Sequence, residues 1–219
     1  MAGDPPPYYQ EANKTLKTPS NLIRIIRDKG EIRERFTLDA SICISEDIIK
    51  DSEKDRKNLC VKTKGEGEID IDVNIAENKE PIPSPTSDRK EVTIDVETFK
   101  GDVSLRLHAS SPNTRPLLRV NVTSGSGIVV LSIPRSTAGV IETTSTGPVI
   151  VSDKLTQMTN IVTEEGRNRN FIVGVVDKWN KEQKDQLTVT AKHGRVYLRY
   201  DDESNEKPEV GFWTRVFGN

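Results

Sequence analysis

A short phrase recurs along this chain: an alternating strand, a glycine, and a second alternating strand. After the first of these glycines, Ile69, Ile71 and Val73 occupy every second position. A period of two places one set of side chains inward and the other toward water. At the junction, a sharp turn between two strands requires a positive φ or a close backbone approach, which glycine allows. The five copies have their glycines at Gly67, Gly101, Gly127, Gly147 and Gly194.

The repeat predicts an all-β domain, and it favours a β-solenoid-like stack of strand–glycine–strand units. Gly127 and Gly147 are 20 residues apart, as are Gly174 and Gly194 (147 − 127 and 194 − 174), and such a period is typical of repeat folds. A β-sandwich is the alternative, because many short strands with frequent turns fit it as well. The residues expected to point inward are Ile69, Ile71, Val73, Ile94, Val96, Leu105, Val120, Val122, Val149, Val189, Val196 and Leu198.

Three regions follow from the composition. Residues 1–20 carry prolines and polar residues without periodicity, which predicts a disordered tail. Residues 21–202 form the repeated domain, and its first strands flank Asp28-Lys29-Gly30, which predicts an N-terminal hairpin. Residues 203–219 are expected to be a linker and an aromatic cap, with Trp213, Val216 and Phe217 on one face of a helical turn. Contact with a membrane or a partner is the alternative for this last segment.

Charge and targeting argue against several functions. Acidic and basic residues nearly cancel, 34 against 32, and are interspersed, so no nucleic-acid partner is expected. The sequence shows no secretory signal and no apolar run of membrane-spanning length. We therefore expect a cytoplasmic protein in which Cys43 and Cys60 are reduced. The oligomeric state does not follow from the sequence.

Residues that could carry chemistry are few. His108 and His193 are isolated, so we predict no metal site and no cofactor. Asp70, Asp72, Asp95 and Glu97 lie on outward positions, where stacked carboxylates could bind calcium or form an acid–base pair. Arg106 and Arg119 offer them salt-bridge partners. The prediction is a non-enzymatic binding or scaffold module, and the alternative is a carbohydrate-active or calcium-binding β-helix that uses these carboxylates.

The N-terminal tail contains a recognition motif. Pro5-Pro6-Pro7-Tyr8 matches Pro-Pro-x-Tyr, and Pro6-Pro7-Tyr8-Tyr9 matches it again one residue on. Prolines preform the polyproline II helix that the aromatic groove of a WW domain accepts. Pro5, Pro6, Pro7, Tyr8 and Tyr9 are therefore the predicted partner-binding residues, with a WW-domain protein as the partner.

Three stretches carry a resemblance to a known family: Arg56 to Leu59, Ile133 to Ser136 followed by Gly139, and Asp185 to Val196. With the prolines before the first strand, they resemble an uncharacterised family of fungal, mostly basidiomycete, proteins. In that family the junction usually reads Asn-Gly-Ser-Val, and here only the glycine and the aliphatic residue are kept. The family is distantly similar to bacterial putative adhesin-like domains. The resemblance implies the same repeated β-strands over residues 21–202 and no established activity.

Overall fold

The structure is a computed structural model that describes residues 18–44, 57–77, 90–110, 114–174 and 184–203. It is nearly all β, which confirms the predicted fold class. The strands are β1 (Ile23–Arg27), β2 (Ile32–Leu38), β3 (Leu59–Glu66), β4 (Ile69–Ile75), β5 (Glu91–Lys100), β6 (Val103–His108), β7 (Leu117–Ile133), β8 (Gly139–Ser145), β9 (Val149–Val151), β10 (Thr159–Glu165), β11 (Asn168–Val173) and β12 (Asp185–Tyr200). One short helix, α1 (Asp153–Thr156), precedes β10.

The strands form two parallel ladders that are joined through the junction glycines. Ladder A contains β1, β3, β5, the first half of β7, the first half of β12, and β8. Ladder B contains β2, β4, β6, the second halves of β7 and β12, and β9. We call one strand of each ladder together with the turn between them a rung. The inward side chains of both ladders pack into one apolar cluster, so neither ladder has a core of its own.

The predicted inward residues are buried, with one exception. Val96, for example, is 0% exposed and pairs with Val61 on one side and Val122 on the other. Val149 is only partly buried, because β9 is a three-residue strand with one neighbour in ladder B. Equivalent aliphatic residues stack rung upon rung, which is the arrangement expected of β-arches. That the domain is a solenoid and not a sandwich stays our interpretation of these parallel pairings.

The predicted N-terminal hairpin is wrong. Strands β1 and β2 flank Gly30 as expected, but β1 pairs with β3 and β2 with β4, both in parallel. A hairpin needs antiparallel hydrogen bonds between its own two strands. Here each strand instead bonds to the next rung, and Gly30, at φ 97°, lies in the turn between the two ladders.

The order of the rungs departs from the order of the chain. Strand β12 lies between β7 and β8 in ladder A, and between β7 and β9 in ladder B. Strands β10 and β11 form an antiparallel hairpin, and β11 pairs with the outer side of β8. Gly174 therefore follows the hairpin strand β11 and is not a junction, so the spacing of 20 residues between Gly174 and Gly194 is not a repeat period.

The junction glycines stack on one another because the rungs approach closely there. A Cβ atom at Gly194 would lie 1.8 Å from the carbonyl oxygen of Gly127, and one at Gly67 would lie 2.2 Å from that of Gly30. Among the junction glycines, positive φ is confined to Gly30, Gly101 and Gly127. Gly67, Gly147 and Gly194 have no positive φ, so at these junctions glycine is required by the close approach of the rungs. The contacts run in the order Gly30, Gly67, Gly101, Gly127, Gly194 and Gly147, which is also the order of the rungs.

Candidate binding surface

The outward face of ladder A begins with a charged cluster whose members neutralise each other. Lys62 Nζ lies 2.9 Å from Asp95 Oδ2 and 2.9 Å from Glu97 Oε2. Asn121 Nδ2 donates to the other oxygen of Asp95 at 2.8 Å. Burial lowers the pKa of Lys62, but the hydrogen bonds to Glu97 and Asp95 outweigh it and hold this pKa above its ordinary value. Lys62 therefore stays charged at neutral pH, and its charge partly offsets those of the two carboxylates across the rungs.

The second pair of predicted carboxylates lies in a different ladder. Asp70 and Asp72 belong to β4, whose neighbours are β2 and β6. Asp72 binds Arg35 Nε at 3.1 Å and lies 3.7 Å from Arg106 Nη1, while Asp70 is exposed. The four carboxylates therefore do not stack as one group, contrary to the expectation, because the arch sends the two halves of each rung to separate ladders.

Arginine pairing matches the expectation at one position only. Arg106 lies beside Asp72 as predicted, whereas Arg119 binds Glu91, with Nη2 2.7 Å from Oε1. Within the described ranges, no three His, Cys, Asp or Glu side chains are grouped closely enough to hold a metal ion.

The two histidines and the two cysteines lie on different parts of the chain: His108 in β6, His193 in β12, Cys60 in β3 and Cys43 after β2. His108 Nδ1 lies 2.9 Å from Asp201 Oδ2 at the end of ladder B, and His193 is exposed. Cys43 is an exposed free thiol, and Cys60 is a partly buried one in the register next to Asp95. Burial raises the pKa of the Cys60 thiol, and the nearby Lys62 offsets this only in part. A protonated thiol is a poor nucleophile.

Toward β10, the outward face that continues from ladder A has fewer charged side chains than at β3 and β5. Uncharged polar side chains dominate here, and a groove of 540 Å³ lies over β8, β11 and β10. Thr144 donates to Asn168 across it at 2.8 Å, and Glu142 and Glu165 flank it. The uncharged members of this face, which we call the polar wall, are Asn121, Thr123, Gln186, Thr188, Thr190, Thr144, Asn168, Asn170 and Thr163. Such side chains both donate and accept hydrogen bonds.

A buried ion pair that the sequence analysis missed lies where the rung order is broken. Arg115 and Asp185 have side chains that are 2% and 1% exposed. Their contact is bidentate: Arg115 Nη1 donates to Asp185 Oδ1 at 2.9 Å, and Nη2 donates to Oδ2 at 2.5 Å. Bidentate arginine–carboxylate pairs combine strength with fixed geometry.

Backbone groups complete this pair, which we call the clamp. Arg115 also donates to the carbonyls of Pro116 and Ser136 and to Ser136 Oγ. Asp185 accepts from the backbone N–H of Leu118 at 3.0 Å and of Ala138 at 2.9 Å. The clamp thus joins the start of β7, the loop before β8 and the start of β12. In the sequence, Ser136 and Asp185 stood in two of the stretches that carry the family resemblance, but no spacing connected either one to Arg115.

The predicted partner-binding residues Pro5, Pro6, Pro7, Tyr8 and Tyr9 lie outside the described residues, and so do the aromatic residues of the predicted C-terminal cap. The described chain begins at Thr18, five residues before β1. Among the described residues, no helix has the length and apolar character needed to span a membrane.

Comparison with known families identifies the domain. The family described as "Domain of unknown function (DUF7330)" matches residues 21–203, so the chain belongs to this family. The match covers the segment from just before β1 to just after β12. No curated protein and no solved structure matches the chain. The fungal source and the likeness to adhesin-like domains stay predictions.

Proposed function

We propose that this protein is a non-enzymatic binding or scaffold module whose N-terminal segment is a ligand for WW domains. The observation that carries the proposal is the doubled Pro-Pro-x-Tyr motif at Pro5 to Tyr9, which lies well before the first strand at Ile23. A WW groove binds such a motif as an extended segment of a few residues, and the motif is separate in the sequence from the strands of both ladders. The ladders would then act as the rigid body that is recruited.

The state of the outward carboxylates supports a binding role over the enzymatic alternative. Asp95 and Glu97 share Lys62, and Asp72 lies between two arginines. A catalytic pair of carboxylates must reach a substrate, whereas the oxygens of these side chains are occupied by ion pairs with lysine and arginine. A calcium site needs several oxygen ligands that converge on one point, whereas Asp72 and Asp95 belong to different ladders. We therefore place the carbohydrate-active or calcium-binding β-helix second.

The location that we propose is intracellular. Cys43 and Cys60 are both free thiols, and Cys43 is exposed. Exposed free thiols are uncommon in oxidising compartments, where disulfides form. A cytoplasmic WW-domain protein, for example a ubiquitin ligase that carries such domains, would meet the motif there.

Titration of a labelled peptide of residues 1–15 against a panel of WW domains tests the proposal. We expect affinities in the micromolar range, roughly −6 to −8 kcal/mol, because the contact is limited to two proline faces and one tyrosine ring. Tyr8→Ala and Tyr9→Ala should each leave partial binding, because each keeps one register. The double change should abolish it. A panel in which no domain binds the peptide better than a scrambled peptide contradicts the proposal.

A further inference from the structure

Two arginines lie on either side of one serine on the outward face of ladder B. Ser132 of β7 is opposite Arg106 of β6 in one direction and opposite Arg199 of β12 in the other. Neighbouring strands are about 4.8 Å apart, so the Cα atoms of the two arginines are separated by about 10 Å. Arg199 Nε donates a hydrogen bond to Ser132 Oγ at 3.0 Å. The guanidinium of Arg199 therefore lies toward β7 and shortens the distance to Arg106.

Asp72 of the neighbouring strand β4 neutralises Arg106 only in part. Arg35 Nε donates to Asp72 Oδ2 at 3.1 Å, whereas Arg106 Nη1 lies 3.7 Å from Oδ1, too far for a normal hydrogen bond. Within the described ranges, Arg106 Nε is buried and has no hydrogen-bond partner. A buried donor without a partner costs free energy, and an acceptor supplied by a ligand would recover it.

Arg199 brings a second positive charge close to Arg106. Burial lowers the pKa of Arg199, and the nearby charge of Arg106 lowers this pKa further. Glu203 offsets this in part, but its Oε1 also accepts hydrogen bonds from Ser152 Oγ and from the backbone N–H of Tyr200. Two cations held close together repel each other, and an anion that contacts both replaces this repulsion with two attractions.

The surface beside the two arginines is apolar. Val130 and Tyr197 precede Ser132 and Arg199 by two residues, so they belong to the same face of ladder B, and they pair with each other in register. They are 7% and 5% exposed. Charge-assisted hydrogen bonds formed next to such a surface are weakened less by water than those of an exposed arginine.

We infer that Arg106, Ser132 and Arg199 form a binding site for a phosphate group, either as inorganic phosphate or as part of a small phosphate monoester. A phosphate carries a charge of about −1.5 to −2 at pH 7, which matches two guanidinium groups better than the single charge of a carboxylate does. Its oxygens accept hydrogen bonds in several directions, so one ligand can contact donors that belong to two different strands. The inference goes beyond WW-domain binding and is independent of it, because all three residues belong to ladder B.

Titration of the full chain with inorganic phosphate, followed by heteronuclear NMR of the arginine Nε–H groups, tests the site. The Nε–H signals of Arg106 and Arg199 should shift together and saturate, with a Kd of about 1 mM or below. Sodium chloride at the same ionic strength is the reference and should produce no saturating shift, because its anion carries one charge and screens without bridging.

Three variants separate a phosphate site from general charge attraction. Arg106→Gln should weaken phosphate binding by about tenfold or more, because it removes one of the two charged donors. Arg167→Gln is the matched control: it removes the same charge at an exposed position between β10 and β11, and it should leave the Kd unchanged. Asp72→Asn should tighten phosphate binding, because the carboxylate no longer competes for Arg106. A variant that only disturbed the fold would not gain affinity.

The source of the phosphate group follows from a parallel titration with O-phosphoserine. Binding as tight as that of inorganic phosphate assigns the site to monoesters as well, and much weaker binding assigns it to the free ion. The inference is overturned by Nε–H signals that move no further with phosphate than with sodium chloride, or by an Arg106→Gln variant that binds phosphate as the parent does. Weaker binding by an Asp72→Asn variant that keeps its circular dichroism overturns it as well.

Discussion

Replacing Gly194 with alanine tests whether the junction glycines are required by the close approach of the rungs. The Cβ atom that Gly194→Ala introduces would lie 1.8 Å from the carbonyl oxygen of Gly127, whereas such contacts are essentially never below 3.0 Å. One atom of this contact is the new Cβ and the other is a backbone oxygen, so no change of side-chain rotamer can relieve the clash. Strands β7 and β12 must therefore separate there by about 1.2 Å.

The cost follows from the hydrogen bonds around the junction. A separation of about 1.2 Å lengthens a normal backbone hydrogen bond from about 2.9 Å to beyond the range in which it contributes. Two or three ladder bonds next to Gly194 would be lost, each worth about 1 kcal/mol net. We expect the free energy of unfolding to fall by about 3 kcal/mol, a large part of the 5–15 kcal/mol typical of a domain.

Urea unfolding followed by far-UV circular dichroism measures this change. With a slope of about 2 kcal/mol per molar urea, the midpoint should fall by about 1.5 M. Gly166→Ala is the matched control: Gly166 has φ 62° but no atom within 4 Å of a Cβ placed there. Strain alone should cost about 1–2 kcal/mol at that position. A Gly194→Ala midpoint equal to that of the wild type, or a loss no larger than that of Gly166→Ala, refutes the close-approach explanation.

Two other perturbations address the clamp and the thiols. Asp185→Ala should lower the free energy of unfolding by about 3–5 kcal/mol, because it leaves the charge of the buried Arg115 guanidinium without its carboxylate. Removing the exposed pair of Arg135 and Asp202 should cost much less in the same urea assay. Equal losses would show that the clamp contributes no more than a surface pair. Iodoacetamide should modify the exposed Cys43 well before the partly buried Cys60. Because burial raises the pKa of the Cys60 thiol, the modification rate at Cys60 should keep rising with pH above about 8.5, where an ordinary thiol is already half ionised. Peptide mapping by mass spectrometry measures both rates, and equal rates at pH 8 would contradict this prediction.

The strands and their faces were accessible from the sequence because they depend on local pattern. Alternation with a period of two decides which side chains of a strand point inward, and residues such as Ile71 and Val122 are buried as this period predicts. The position of each junction glycine could also be predicted, since few other residues tolerate a sharp turn between strands. A local pattern does not specify which other strands each strand pairs with.

Most of the errors concern which strands pair with each other. A turn at Asp28-Lys29-Gly30 is compatible with a hairpin or an arch, and the difference depends on the neighbouring rung at β3 and β4. Insertion of β12 next to β7 depends on contacts between residues 65 to 70 positions apart, such as Arg115 with Asp185. No periodicity along the chain records such a contact, so the clamp and the rung order became visible only in the structure.

Measuring the affinity of the full chain for the WW domain that binds the 1–15 peptide most tightly tests the central functional claim. If the N-terminal segment acts as a recruitment ligand in the intact protein, the full chain should bind within about threefold of the peptide. The Tyr8→Ala, Tyr9→Ala double variant of the full chain should lose this binding and keep the melting temperature of the parent protein. Loss of binding in the unaltered full chain, or unchanged affinity in the double variant, would contradict the claim.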